Sequence, residues 1–304
     1  MMYLILTILS ISVILIIQNP ILSMILGLLL SLGLTNNIQI LYSKADSLPL
    51  QIGIALIGFS ISLELLLDIS LNFFPIISFF VFFIFLISLI IGKCMKLDSK
   101  FIYLIASASA ICGASAALAI SSIIKPKNTQ ILSALSIIFI FNAIALLLLP
   151  YIGTLLNLTD FQFGFLSALA IHDTSSVVGA GFLYSNEAGE IAATLKLGRT
   201  LWLLPLIFLV AYIFNTKTDN TIKSFPKFIV FFFLFILLGN LLNIHENILD
   251  IIKKISLIFI NLGIFMIGVQ SKLTSIMSYK LVLYPVFIWV ITLSSSLLIV
   301  YNFS

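Results

Sequence analysis

The sharpest interruption of an otherwise apolar sequence is the segment 171–181, which reads IHDTSSVVGAG. His172 and Asp173 are adjacent there, and three hydroxyl residues follow them: Thr174, Ser175 and Ser176. A histidine can hold or relay a proton near neutral pH, and an aspartate inside an apolar run can bind a coupling cation or proton. The alternative is that Asp173 only N-caps a half-helix beginning at Thr174. A cap inside a membrane would itself imply a broken helix that faces protein or water.

A second polar group follows a few turns later. Lys196 and Arg199 are three residues apart and therefore share one face of a helix. Arginine offers a planar fork of donors and lysine a point charge, so the pair predicts a cationic site for a small oxyanion. In this interpretation Glu190 joins His172 and Asp173 as a coupling or proton-carrying group. The alternative is an interfacial charge cluster, in which Glu190 pairs with one base and the remaining charges snorkel.

The third candidate is the small-residue segment 107–117, SASAICGASAA. If the helix breaks near Cys112 and Gly113, its free backbone N–H groups can meet an anion at a half-helix N-terminus, with Ser115 beside it. The alternative is a small-residue face for helix packing. Cys112 has no base near it in sequence, which favours packing over a role as nucleophile.

An enzyme is not expected. A hydrolase built from Ser115, His172 and Asp173 is disfavoured because neighbouring side chains point about 100° apart on a helix. No segment has the spacing of metal ligands, so we expect no metal site and no cofactor.

The composition identifies the environment of these residues. Hydrophobic residues make up 62% of the 304 residues and charged residues only 9%, against ~25% charged in soluble domains. This excludes a soluble enzyme, a disordered chain and a nucleic-acid-binding chain. The formal net charge of +4 is typical of the positive-inside bias of membrane proteins. The two cysteines provide no disulfide framework.

Apolar runs occupy most of the chain and predict helices, because lipid offers no partner to backbone polar groups. The runs lie at about 3–17, 20–34, 50–67, 73–91, 101–124, 129–149, 163–184, 191–213, 227–242, 254–271 and 281–301. Only Gln18, Asn19 and Pro20 separate the first two runs, so the expected number of crossings is ten or eleven. The connections are short, which predicts one membrane domain over residues 1–304 and an all-α polytopic membrane fold.

The positions of the basic residues suggest an orientation. When loops from residue 35 onward are assigned to alternate sides, one side collects nine lysines and the other has four basic residues in loops. The richer side is expected to be cytoplasmic, and with eleven spans the N-terminus is then inside.

Two pairs of segments resemble each other. Residues 53–58 (GIALIG) are similar to 263–268 (GIFMIG), and residues 107–111 (SASAI) are similar to 167–171 (SALAI). Such similarity favours the inverted repeats of secondary transporters. Gly263, Gly268 and the polar Gln270 that follows are therefore further candidates for substrate binding.

These motifs together resemble the bacterial YeiH-like inner-membrane proteins, a family labelled sulfate exporters. The similarity covers roughly residues 20–275, and the following residues carry it: the glycine pair 53–58, the motif ICGAS at 111–115, IHD with VVGA at 171–180, Lys196-x-x-Arg199 followed by Pro205, and the glycine pair 263–268. The resemblance implies a transporter related to cation/proton antiporters and bile-acid symporters. It further implies inverted repeats and crossing discontinuous helices, with breaks at Cys112-Gly113 and near Gly263–Gly268.

We therefore expect a proton- or cation-coupled secondary transporter of a small anion, such as sulfate or another sulfur-containing oxyanion. The first alternative is a cation/proton antiporter that uses Asp173, and the second is a non-transporting membrane subunit. The expected partners are the lipid bilayer, a small inorganic or sulfur-containing anion, and H+ or Na+. No nucleic-acid partner is expected. The oligomeric state is left open, and a homodimer is one alternative. The expected location is the bacterial inner membrane.

Overall fold

The protein is an all-α polytopic membrane protein. The computed structural model describes residues 2–33, 47–61, 63–215, 227–242, 244–270 and 279–302. Regular structure in these ranges is entirely helical. The α-helices are α1 (Met2–Ile17), α2 (Pro20–Gly33), α3 (Ser47–Ile57), α4 (Leu63–Cys94), α5 (Ser99–Ala110), α6 (Ala114–Ile124), α7 (Asn128–Leu155), α8 (Asp160–Ala170), α9 (Thr174–Tyr184), α10 (Asn186–Thr200), α11 (Leu203–Ile213), α12 (Lys227–Leu241), α13 (Glu246–Gln270) and α14 (Tyr279–Tyr301).

Several helices have the length and composition to cross a bilayer. Within the described ranges, four helical segments are long and apolar enough to cross: Asn72–Cys94, Thr129–Leu155, Leu281–Tyr301 and Asn186–Ile213, the last of which comprises α10 and α11. Shorter apolar helices, such as Ala114–Ile124, accompany them. A helix pairs its backbone groups internally, as a hydrocarbon environment requires. The number of ten or eleven crossings stays a prediction.

Two of the apolar runs are each divided into two half-helices. The run 101–124 is interrupted by a turn at residues 111–113, between α5 and α6. The run 163–184 is interrupted at residues 171–173, between α8 and α9. The breaks predicted at Cys112-Gly113 and before Thr174 are confirmed.

A further interruption was not expected. The run 191–213 contains a turn at residues 201–202, which separates α10 from α11. Pro205 lies in the first turn of α11 and has no backbone N–H to bond the carbonyl four residues earlier. The regular bonding pattern therefore cannot run unbroken through this point.

The break expected near Gly263–Gly268 is wrong. Helix α13 is continuous from Glu246 to Gln270 and includes both glycines. A Cβ atom on Gly268 would lie 2.6 Å from the carbonyl oxygen of Met24 and 2.9 Å from the Cα of Gly27. The absence of a side chain thus lets α2 approach α13 backbone to backbone, as small residues do in membrane helix pairs.

An interruption in this part of the fold lies instead between α3 and α4, after a single 3₁₀ turn at Gly58–Ser60. Asn240 of α12 stabilises it, because its side chain accepts from the amide of Leu63 (3.0 Å) and donates to the carbonyl of Ile61 (3.0 Å). The predicted run 50–67 is therefore divided between two helices, since α3 ends at Ile57 and α4 begins at Leu63. The run predicted at 254–271 begins earlier, so Lys253 and Lys254 lie within α13 and not in a loop.

The helices pack in two groups. Helix α13 packs against α2 and α3, with α12 beside α3, while α5 to α10 pack around the two broken pairs. A buried apolar cluster joins the groups and includes Leu146 of α7, Val178 of α9, Leu197 of α10 and Ile264 of α13. This packing fixes α9 and α10, the helices that carry the polar residues, inside the molecule.

Candidate functional site

The two breaks meet. A Cβ atom on Gly113 would lie 3.2 Å from the backbone nitrogen of Asp173 and 3.2 Å from the carbonyl carbon of His172. We call the place where residues 111–113 contact residues 171–173 the crossing. The ends of α5, α6, α8 and α9 come together there.

The local sequence explains the sharp turn into α6. Gly113 has φ +62° and ψ −125°, a conformation that glycine adopts readily and residues with a Cβ rarely do. Cys112 is 2% exposed. Cys112 is therefore a buried packing residue at the crossing.

The first turn of α6 contains backbone N–H groups without a hydrogen-bond acceptor among the described residues. The amide of Ala117 donates to the carbonyl of Gly113 (3.1 Å), whereas those of Ala114 and Ser115 have no acceptor among the described residues. Ser115 is exposed and Ala114 half-exposed. Ser115 thus lies outside the buried cluster but beside an accessible helix N-terminus.

Asp173 caps α9. Its Oδ2 accepts from the Ser176 amide (3.2 Å), from the Ser176 hydroxyl (3.4 Å) and from the hydroxyl of Ser175. The predicted N-cap is therefore confirmed, and it lies at the break. The other oxygen, Oδ1, accepts no hydrogen bond from the described residues. Thr174, Ser175 and Ser176 are all buried.

Sequence reasoning missed Asn142 of α7. Its Oδ1 accepts from the amides of His172 (3.2 Å) and Asp173 (3.3 Å), and the residue is 1% exposed. Asn142 thereby holds the backbone of the break through a side chain. The available signal was an amide residue inside the apolar run 129–149, since polar groups at membrane depth mark functional positions.

Arg199 joins the carboxyl-terminal ends of both leading half-helices. Its Nε donates to the carbonyl of Ala110 (2.7 Å) and its Nη2 to that of Ser109, at the end of α5. Its Nη1 donates to the carbonyls of Ala168 (3.0 Å) and Leu169 (2.8 Å), at the end of α8. Carbonyls at a helix C-terminus lack intrahelical partners and carry partial negative charge, which a cation stabilises.

Lys196 has a related role. Its Nζ donates to the carbonyl of Ile171 (2.7 Å). This carbonyl belongs to the break at residues 171–173, which we call the second break. Both basic side chains are 0% exposed, and the guanidinium carbon of Arg199 lies 5.3 Å from the ring centre of Phe80. The interpretation of a snorkelling interfacial cluster is therefore wrong for these two residues, because both are buried at the crossing.

The remaining predicted residues lie elsewhere. Glu190 forms an ion pair with Lys253 of α13, and the side chains are 18% and 26% exposed, respectively. The pairing partner predicted for Glu190, Lys196 or Arg199, is therefore wrong. Gly263 is buried within α13 and Gly268 faces α2, while the side chain of Gln270 lies outside the described residues.

Several buried polar atoms around the crossing have no hydrogen-bond partner in the described part of the chain. They are Asn142 Nδ2, Ser167 Oγ and both ring nitrogens of His172. His172 is 2% exposed and Ser167 is fully buried. Buried polar groups are nearly always paired, so these four atoms are exceptions in the described part of the chain.

Comparisons with known proteins place the chain in a family. The family model described as "Conserved hypothetical protein 698" matches residues 2–295. A UPF0324 membrane protein of Bacteroides thetaiotaomicron is 41% identical over 213 residues, covering 69% of this chain and 64% of the relative. A second, from Vibrio parahaemolyticus, is 34% identical over 286 residues, covering 92% of each chain.

A third relative, the UPF0324 membrane protein of Photobacterium profundum, is 39% identical and covers 70% of this chain and 64% of the relative. The alignments thus span slightly less than two thirds of the length of the Bacteroides and Photobacterium proteins. No solved structure matches. The YeiH-like proteins that the sequence resembles are this same family. The chain therefore belongs to the family of conserved hypothetical protein 698, the UPF0324 membrane proteins.

Proposed function

We propose that the protein is a secondary transporter of a small oxyanion and that the crossing is its binding site. The observation that carries the proposal is the burial of Lys196, Arg199 and Asp173 where four half-helix ends meet. Charges at membrane depth are costly and by default mark a substrate or ion pathway. Discontinuous helices that meet in the membrane interior are the usual site architecture of secondary transporters.

The formal charges favour an anion. Lys196 and Arg199 contribute two positive charges, and Asp173 contributes one negative charge. The hydrogen bonds of the two cations go to backbone carbonyls, so their expected role is electrostatic attraction and not a direct fork on the substrate. The direct donors are instead the free amides of Ala114 and Ser115, at the accessible N-terminus of α6.

Coupling is assigned to the second break. Oδ1 of Asp173 has no partner among the described residues, and Asp173 is 7% exposed, so this oxygen can take a proton or Na+. His172 lies next to it and can exchange a proton. A sulfur-containing oxyanion is the first substrate to test because the family resemblance points to it. The proposal includes residence in the bacterial inner membrane with a cytoplasmic N-terminus and involves no enzymatic reaction.

The test is flux into proteoliposomes that contain the purified protein. Labelled sulfate, sulfite and a sulfonate are offered with and without a pH gradient, and at least one should accumulate faster than in empty liposomes. Passage of all three, and of other small oxyanions, at the empty-liposome rate would refute the substrate class.

A matched pair of variants separates the site from the surface. Asp173→Asn keeps a good N-cap but removes the charge, so it should abolish the response of flux to the pH gradient. Glu187→Gln makes the same chemical change at an exposed position of α10 and should leave flux unchanged. Equal behaviour of the two variants contradicts the assignment of coupling to Asp173.

The second candidate is a cation/proton antiporter, favoured by the unpaired oxygen of Asp173. In that case a Na+ gradient should drive proton movement in liposomes without any oxyanion. Asp173→Asn should then abolish this Na+-driven proton movement. An oxyanion transporter would show no such movement, even as the wild-type protein, when no oxyanion is present.

A further inference from the structure

The unpartnered polar atoms at the crossing define the chemistry of a ligand. Asn142 of α7 accepts from the second break, His172 lies in that break, and Ser167 of α8 precedes it by one helical turn, since its carbonyl accepts from the amide of Ile171 (3.1 Å). Each is at least nine-tenths buried. Their hydrogen-bonding needs can therefore be compared with those of candidate ligands.

The orientation of the Asn142 amide is fixed. Two backbone N–H groups, those of His172 and Asp173, point at one side-chain atom, which must therefore be the oxygen. The other atom is then the NH2 group, a pure donor, and it has no acceptor among the described residues. A ligand next to Asn142 must accept a hydrogen bond.

His172 places a different demand on the ligand. A neutral imidazole has one donor nitrogen and one acceptor nitrogen, and neither has a partner in the described ranges. Ser167 likewise carries a hydroxyl that can both donate and accept. A ligand that satisfies these groups must therefore carry an O–H donor as well as acceptor oxygens.

The charge of the site gives a second, independent constraint. The crossing buries two basic side chains, Lys196 and Arg199, and one carboxylate, Asp173, so by formal charge a single negative charge on the ligand balances it. A dianion such as sulfate has no O–H donor and one charge too many. A singly protonated oxyanion has both features.

We propose that Asn142 and His172 form the recognition subsite for a singly protonated oxyanion, of the type of hydrogensulfite or hydrogencarbonate. Asn142 Nδ2 donates to an anionic oxygen, and His172 accepts from the O–H group. This inference rests on the proposed transport function and names its substrate class.

Binding is measured on the purified protein in detergent as the rise of apparent melting temperature with ligand concentration, which follows mass action. The probes are sulfite, bicarbonate and sulfate at near-neutral pH. Sulfite or bicarbonate should stabilise the wild-type protein at concentrations at least about tenfold lower than those at which sulfate does. One hydrogen bond to a charged group changes affinity by about this factor. Equal or tighter binding of sulfate overturns the inference.

Variants locate the subsite. Asn142→Asp keeps the oxygen that holds the two amides and replaces the donor by an acceptor, so it should remove the preference for the protonated anions. Asn261→Asp is the matched control, because Asn261 is a fully buried asparagine of α13 whose NH2 group already donates to Leu257 (2.8 Å). It should lower stability without changing the preference, and a loss of preference in both variants overturns the assignment.

The outcome does not depend on whether Asn142→Asp folds, since the wild-type preference alone decides between protonated and unprotonated anions. If the protein transports sulfate and prefers it, the proposed function stands and this inference fails. If no oxyanion is bound or transported, both fail.

Discussion

Replacement of Gly113 by alanine tests the crossing most directly. The residue has φ +62° and ψ −125°, and its missing Cβ would lie 3.2 Å from two backbone atoms of the other break. Alanine adds one methyl group and no charge, so the change probes backbone conformation and close approach alone. Both features depend on the two broken helices meeting as described.

The expected cost can be estimated from these values. An alanine held in a sparsely populated conformation costs about 1–3 kcal/mol. Forcing the neighbouring backbone to move by a few tenths of an ångström adds about 1–3 kcal/mol. The reduced entropy of the unfolded chain returns about 0.4–1 kcal/mol. We expect Gly113→Ala to lower the free energy of unfolding by about 3 kcal/mol, with the strain and packing costs dominating.

Gly198→Ala is the matched control. Gly198 lies within α10, and no heavy atom lies within 4 Å of the Cβ it would gain. Alanine there should raise the free energy of unfolding by about 0.5–1 kcal/mol through helix propensity. The same substitution thus has opposite signs at the two sites.

The assay is reversible unfolding by SDS in mixed micelles, followed by circular dichroism. Oxyanion-dependent thermal stabilisation is measured on the same samples and should be lost only in Gly113→Ala. Equal stabilities of the two variants would refute the close contact between Gly113 and the second break, and with it the geometry of the crossing.

Three further substitutions or modifications test other contacts. Arg199→Lys replaces a fork of donors by a point charge that cannot hold the ends of α5 and α8 together, so unfolding in SDS should become about 3 kcal/mol easier; wild-type stability would contradict the bridge. The ion pair of Glu190 and Lys253 is partly exposed, so a double-mutant cycle with Glu190→Gln and Lys253→Met should give a coupling energy below about 1 kcal/mol; a larger value would show a more buried pair. In the folded protein a maleimide should modify the exposed Cys94 and spare Cys112, which is 2% exposed; mass spectrometry that finds equal labelling would show that the crossing is open to reagents.

Glycines in this chain serve two different structural purposes. Gly113 permits a turn because its own backbone conformation requires glycine. Gly268 lies in a continuous helix and permits the approach of α2. Sequence similarity between 53–58 and 263–268 does not distinguish a break from a packing contact, since both need a residue without a side chain. An inverted repeat stays a prediction.

The sequence alone determined the membrane environment, the helical class and the two breaks at the crossing. These features depend on local chemistry: apolar composition, glycine in a small-residue segment, and an aspartate followed by residues whose amides it can cap. Asp173 and Ser176 are three residues apart, so their capping bond can be inferred without knowledge of any other helix.

Only the tertiary structure decided what the buried polar and charged residues contact. Arg199 bonds carbonyls 90 and 31 residues away, Asn142 holds amides 30 and 31 residues away, and Glu190 pairs with a lysine 63 residues away. In lipid, apolar helix faces offer many equivalent packings, because hydrophobicity does not distinguish a neighbouring helix from the bilayer. The partners of a buried polar group are therefore set by how the helices cross, which no local pattern of residues specifies.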